Sequence, residues 1–291
     1  MRQVSFLVLA ISAALAGSAL AQSAPAPAAA KCDNPNALGV ARTVEIDTTG
    51  GPGFGFEHFK AYDFLQSKEV VLTFDDGPWP GNTPHVLKAL ADQCTKAIFF
   101  MIGKHAGYYP EITKQVAAAG QTIGTHTWSH KDLSKMSEED AKAEIEKGIA
   151  AVSIALGNKP VGSFVRFPAL RHPPELLKYV GVRNLGVFST DFDSFDFKMR
   201  KSDQVVKSVM TRLEKHGKGI ILMHDFQHPT AEAVPEILKQ LKAGGYKVVQ
   251  IVSKTPVEPL PEFKAIVMKE MGGGLETARP MSSVIKTISG N

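Results

Sequence analysis

From residue 68 onward the chain alternates between two hydrophobic rhythms. Short apolar runs at 69–74, 97–102, 121–125, 163–167, 184–189, 219–223 and 246–252 have the length and flanking breakers of buried strands. Between them, apolar positions recur at helical spacing. Asn82-Thr83-Pro84 predicts a capped helix start with an early proline. Pro110 opens the next helix, which Gly120 ends. Ser137-Glu138-Glu139-Asp140 resembles a capping box, with Ala141, Ile145, Ile149 and Val152 on one stripe behind it. Ser202 is expected to cap a helix carrying Val205, Val206, Val209 and Leu213. Thr230 to Ala243 forms the last, broken near its start by Pro235. Alternation of this kind predicts an α/β fold with about seven parallel strands, closed or nearly closed as a (β/α) barrel. An open doubly wound sheet is the alternative. No Gly-x-Gly-x-x-Gly follows the first strand, so nothing favours a dinucleotide fold.

The flanks read differently. Arg2, the apolar stretch Val4 to Ala16 and Ala19-Leu20-Ala21 have the form of a secretory signal, 1–21, cleaved after Ala21. This predicts an exported, periplasmic or secreted protein with no stable membrane span after cleavage. Residues 22–31 are an Ala/Pro-rich linker. Residues 32–67 form an irregular extension, with one short strand near Val40 to Ile46. The regular domain covers 68–253, and 254–291 is a tail expected to pack loosely. Export permits a bridge between the only two cysteines, Cys32 and Cys94; two free thiols are the alternative.

The formal charge of +4 is modest and its basic residues are not clustered, which argues against nucleic acid as a partner. Lys131, Lys135, Lys142 and Lys147 alternate with Glu138, Glu139, Asp140, Glu144 and Glu146, which reads as a solvated helix face.

The candidate chemistry collects at strand ends. Asp75 and Asp76 close the first run, and two adjacent carboxylates are costly to hold together unless a cation neutralises one. His126 and His130, four apart, would share one face of a helical turn, a spacing that suits a single metal. One carboxylate and two imidazoles leave positions open on Zn²⁺ for water and substrate, the catalytic pattern. Arg166 ends the fourth run, Asp191, Asp193 and Asp196 follow the fifth, and His224 follows the sixth. Singly, each has an ordinary structural explanation. Together they sit at the carboxyl ends of parallel strands, which face a common mouth.

These residues fall in ordered motifs: Thr-Phe-Asp-Asp-Gly-Pro (73–78), His-Thr-Trp-Ser-His (126–130), Arg166-Phe167-Pro168, Asp193-Ser194-Phe195-Asp196-Phe197 and Leu222-Met223-His224. In that order they resemble the carbohydrate esterase family 4 polysaccharide deacetylases, the NodB homology group. The resemblance implies a distorted (β/α) barrel. It implies Asp75 as general base, with Asp76, His126 and His130 as metal ligands. It further implies Arg166 as ion partner of Asp75, His224 as general acid and Asp196 as the group orienting His224. Leu222 would line the pocket for the acetyl methyl. Two positions depart from the family pattern. Ala169 replaces the usual Tyr, keeping the backbone N–H that faces the oxyanion, and Phe197 replaces the usual Trp beside the acid. Trp79 and other strand-end aromatics are candidates to stack on sugar. The implied reaction is removal of N-acetyl groups from an N-acetylglucosamine-containing polysaccharide, of peptidoglycan or chitin type. It would use Zn²⁺, or Mn²⁺, Co²⁺ or Ni²⁺ in the same ligand set. Acetyl-ester or other amide hydrolysis, and glycan binding by an idle site, are the rival readings.

Overall fold

A computed structural model describes residues 34–275. The expected signal segment, the linker, Cys32 and residues 276–291 lie outside the described residues. Cys94 is not a free thiol.

The strands are β1 (Arg42–Ile46), β2 (Gly53–Phe54), β3 (Glu69–Asp75), β4 (Ile98–Met101), β5 (Thr122–Thr125), β6 (Phe164–Val165), β7 (Gly186–Phe188), β8 (Phe192–Asp193), β9 (Gly219–His224) and β10 (Lys247–Ser253). The helices are α1 (Asn82–Asp92), α2 (Gly103–Tyr108), α3 (Pro110–Ala118), α4 (Glu138–Ala155), α5 (Pro174–Val182), α6 (Ser202–His216), α7 (His228–Ala243) and α8 (Pro261–Leu275). All the named strand pairs are parallel. Strand β3 is central and every one of its residues is buried, as a strand covered on both faces requires. Its Val70–Asp75 segment pairs with β9 along one edge. The other edge is shared, by β10 at Glu69–Val70 and by β4 at Thr73–Asp75. From β4 the sheet continues through β5, β6 and β7 to β2. The register sets Asp75 beside His224, so one residue from each of two neighbouring strands reaches the same end of the sheet.

The α/β fold agrees with expectation, but hydrogen bonds do not close the barrel. Among the described residues no ladder joins β2 or β7 to β8. At that side the Arg166 guanidinium takes over the work of a strand. Its Nη2 donates to Ser189 O at 2.7 Å and its Nε to Phe188 O at 3.3 Å. These carbonyls would otherwise be buried without a donor.

Several local expectations are corrected. Asn82 does not cap α1: Gly81 holds that position, and the Asn82 amide donates instead to Phe226 O. Ser202 lies inside α6, behind an extended Lys201. Pro235 does not break α7, which starts at His228; Ala231, Val234, Ile237, Leu238 and Leu241 are buried along it and offset the one lost backbone bond. Ser137 does cap α4, accepting from Asp140 N. The charged run on α4 is not wholly solvated. Glu146 is fully buried against Arg183 and Tyr179, and Glu144 is nearly so. The tail is not loose over 254–275. Val257 bridges Val161, and Val267 of α8 is fully buried in a cluster with Trp128, Ala150 and Ala151. No described helix is long and apolar enough to cross a membrane.

Candidate active site

Asp75 ends β3 and Asp76 begins the turn after it, with φ 72. Asp75 is nearly inaccessible, and its Oδ1 accepts from Arg166 Nη1 at 2.7 Å. Arg166 is fully buried. It also donates to Thr73 Oγ1 at 2.7 Å and lies over the Phe100 ring, 4.3 Å from its centroid. A charge this deep persists only when paired and hydrogen-bonded, and here the ion pair with Asp75 stands beside three further bonds, using four of the five N–H groups.

The segment His126–His130 is not a helical turn. It is an irregular loop with left-handed Thr127 (φ 64) and His130 (φ 57), and this bend, not i, i+4 geometry, brings the two rings together at 4.8 Å between centroids. Helix α4 fixes the loop. Trp128 N donates to Glu144 O, and the Glu144 carboxylate accepts from Ser129 N and its hydroxyl, each at 2.8 Å. Gly148 permits the approach: a Cβ there would stand 2.7 Å from the Thr127 carbonyl carbon.

His126 Nδ1 lies 2.6 Å from Arg166 O, which can only accept, so Nδ1 carries the proton and Nε2 offers a lone pair. Burial depresses the His126 pKa more than Asp75 and Asp76 raise it, so the ring is neutral. Asp76 Oδ1 lies 3.5 Å from that Nε2 and 3.4 Å from His130 Nε2, and it is buried with no hydrogen-bond partner. The three donor atoms lie within 4.8 Å of one another. Tetrahedral bonds of ~2.0–2.1 Å would set donors ~3.4 Å apart. An orphaned carboxylate oxygen facing two imidazole nitrogens therefore fits a divalent cation. His105 Nδ1 donates to Asp76 O at 2.6 Å and holds the backbone of this ligand.

Across the site, Asp196 Oδ1 accepts from His224 Nδ1 at 2.6 Å and from Phe197 N at 2.9 Å. Its Oδ2 accepts from His224 N at 2.7 Å and Thr230 Oγ1 at 2.6 Å. Burial opposes charging of His224, but Asp196, together with Asp75 and Asp76, lifts its pKa to about 9. Phe197 and Phe226 stand edge-on to the imidazole at 5.6 and 6.2 Å.

These groups line one cavity of about 470 Å³, with Asp75, Asp76, His126, His130 and His224 on its polar side. Ala169, in a left-handed backbone conformation (φ 53), Leu222 and the half-exposed Phe197 also line it. Arg166 and Asp196 stand behind the wall. Trp79 does not line this cavity: it packs edge-on against His105, Tyr109 and Phe226, because the turn at Gly77-Pro78 directs it outward. Asp193, named in the sequence as a strand-end acid, lines the wall, its pKa raised by burial. Three contributors were missed in the sequence. Glu144 and Thr230 give no motif signal. Asp225, adjacent to His224, is fully buried under Gly77 and accepts from Thr83 Oγ1.

A paired buried carboxylate, a fitted cation site and a carboxylate-held histidine around one cavity define a hydrolase-type site on a parallel α/β sheet. A sequence profile described as polysaccharide deacetylase matches residues 65–186. The peptidoglycan-N-acetylmuramic acid deacetylase PdaC of Bacillus subtilis is 32% identical over 198 residues, 68% of this chain and 41% of that protein. A peptidoglycan-N-acetylglucosamine deacetylase of Bacillus cereus is 31% identical over 189 residues, 64% of this chain and 67% of the relative. The structure of a Bdellovibrio bacteriovorus peptidoglycan deacetylase superposes with a TM-score of 0.68 at 32% identity, covering 78% of this chain and 64% of that one. The chain belongs to the polysaccharide deacetylase family. It spans about two-fifths of the length of PdaC.

Proposed function

We propose that this protein is an exported, divalent-metal-dependent deacetylase that removes N-acetyl groups from an N-acetylglucosamine-containing polysaccharide. The observation that carries this reading is the orphaned Asp76 Oδ1 between His126 Nε2 and His130 Nε2, beside an Arg166-paired Asp75 and an Asp196-held His224. Asp76, His126 and His130 would hold the cation, Zn²⁺ or a metal of similar preference. When bound, it lowers the pKa of a coordinated water and polarises the acetyl carbonyl.

Asp75, aimed by Arg166, accepts a proton from the attacking water as the new C–O bond forms. The Ala169 N–H faces the developing oxyanion, a contact worth ~3–4 kcal/mol in comparable sites. Leu222 packs on the acetyl methyl, and Phe197 narrows the mouth beside the acid. The C–N bond then breaks, and His224, charged because Asp196 holds Nδ1, gives its proton to the leaving amine. Acetate and a free amino sugar result. Export is supported by the form of residues 1–21, and a glycan substrate by the peptidoglycan deacetylase names of the relatives.

The test is acetate release from peptidoglycan glycan strands and chitin oligomers with Zn²⁺, after chelation, and with Asp75→Ala. Release that needs metal and vanishes in Asp75→Ala supports the proposal. Metal-loaded protein that releases nothing from either, while binding glycan, would replace it with the glycan-binding reading.

A further inference from the structure

A second cavity of about 290 Å³ opens beside the first and shares Asp76, His130 and Phe226 with it. Its own walls are Lys104, His105, Tyr108 and Ser129, with Ile102 beneath. Among the residues lining the two cavities, Lys104 is the sole Lys or Arg. It forms no ion pair among the described residues, and its ammonium lies 5.7 Å from the centre of the Trp128 ring. The neighbouring cations are already matched: Lys147 with Glu270 at 2.7 Å, Lys131 with Glu144 at 3.9 Å, and Arg171 with Asp132. Tyr108 is 63% exposed and offers a free aromatic ring on the same wall.

This wall is tied directly to the metal-ligand segments. Gly103 N and Lys104 N donate to Thr127 O and Trp128 O at 2.8 and 3.0 Å, inside the His126–His130 loop. His105 Nδ1 donates to Asp76 O on the opposite side. Helix α2 therefore carries Lys104 and Tyr108 at a fixed offset from the ligand triad. Arg166 already pairs with Asp75 and Asp196 with His224, and a bound divalent cation would offset Asp76 and Asp193, which leaves Lys104 as the unpaired cation facing what enters beside them.

We infer that this second cavity is a subsite for a sugar residue bearing a carboxylate. Lys104 would pair with that carboxylate while Tyr108 packs on the ring, as the neighbouring N-acetylated sugar occupies the catalytic cavity. The inference rests on the deacetylase reading and narrows its substrate. It favours a glycan whose alternate sugars carry a free ether-linked lactyl carboxylate, as in peptidoglycan strands stripped of their stem peptides, over a neutral N-acetylglucosamine homopolymer. A partly exposed ion pair supplies modest discrimination, about two- to fivefold.

The test compares amidase-stripped peptidoglycan strands, whose lactyl carboxylates are free, with the same strands after conversion of those carboxylates to methyl amides. The readout is the ratio of kcat/KM on free and capped strands for the zinc-loaded protein. The expected ratio is about two to five for wild type, about one for Lys104→Met, and near the wild-type value for Lys104→Arg. A wild-type ratio near one, or a ratio that Lys104→Met leaves unchanged, overturns the inference. If zinc-loaded wild type releases no acetate from any strand, the deacetylase reading fails instead. The same ratio, measured as Kd for the two strand preparations, then decides the subsite on its own.

Discussion

Replacing Arg166 by Met tests whether the buried cation holds the base in place or merely fills space. Met keeps most of the apolar stem and removes every donor. Arg166 donates at 2.7 Å to each of Asp75 Oδ1, Thr73 Oγ1 and Ser189 O, and at 3.3 Å to Phe188 O. The substitution leaves a buried carboxylate without its counter-charge and two strand-end carbonyls without donors. Breaking one partner from a buried pair costs about 3–5 kcal/mol, a large share of a typical stability of ~5–15 kcal/mol. At ~2–4 °C per kcal/mol for a domain of this size, Arg166→Met should melt roughly 6–20 °C below wild type.

The diagnostic is the second substitution. Asp75→Asn removes the charge that Arg166→Met strands, so the double variant should be less destabilised than the sum of the singles. The expected coupling is about 1.5 kcal/mol or more, within the range for residues in direct contact. Denaturation is followed by circular dichroism after chelation, so that metal binding to the native state does not mask the loss. Strict additivity, or Arg166→Met melting within about 3 °C of wild type, would refute the argument. In that case the guanidinium would be a packing group, and the alignment of Asp75 would need another cause.

Three further outcomes follow from the same geometry. In metal-free protein, an NMR titration of His224 should show a midpoint near pH 9, and Asp196→Asn should lower it. Because the folded pKa lies above the ordinary 6.5, the His224–Asp196 pair adds its full stability below that value and loses it as pH rises through about 9; an unmoved midpoint would detach Asp196 from His224. Burial, with the charges of Asp76 and Asp75 adding and Thr83 opposing, raises the Asp225 carboxyl to about 7. Its contribution is therefore lost as pH rises from about 4 to 7, and Asp225→Asn should gain stability relative to wild type between pH 5 and 8; denaturation midpoints that stay parallel across that range would contradict this. Glu144→Ala, which releases the Ser129 N–H and hydroxyl, should weaken Zn²⁺ affinity at least tenfold by calorimetry, the usual cost of losing a group that positions ligands.

The long-range layout was legible because it rests on periodicity. Strand β3 is buried throughout since both faces are covered, and parallel pairing carries Asp75, His126 and His224 to one end of the sheet. The conformations that aim these side chains were not legible. Left-handed Thr127 and Ala169 are not the residues that announce positive φ, and tertiary contacts hold the loop of Thr127 and His130 there: Gly148 on α4 admits the Thr127 backbone and Glu144 accepts from Ser129 N. Glu144 itself looked like one charge in a solvated stripe, because nothing in a helical wheel marks which acid will meet a loop N–H. Thr230 saturates Asp196 from 34 residues away, a contact fixed only by how α7 packs. The same holds for α8, whose Val267 covers Trp128 between the two histidines. Periodicity thus specifies which residues arrive at the mouth, while the packing of α4, α7 and α8 specifies how tightly each is held. Variants in the second group should therefore change metal affinity and pKa values before they change the fold.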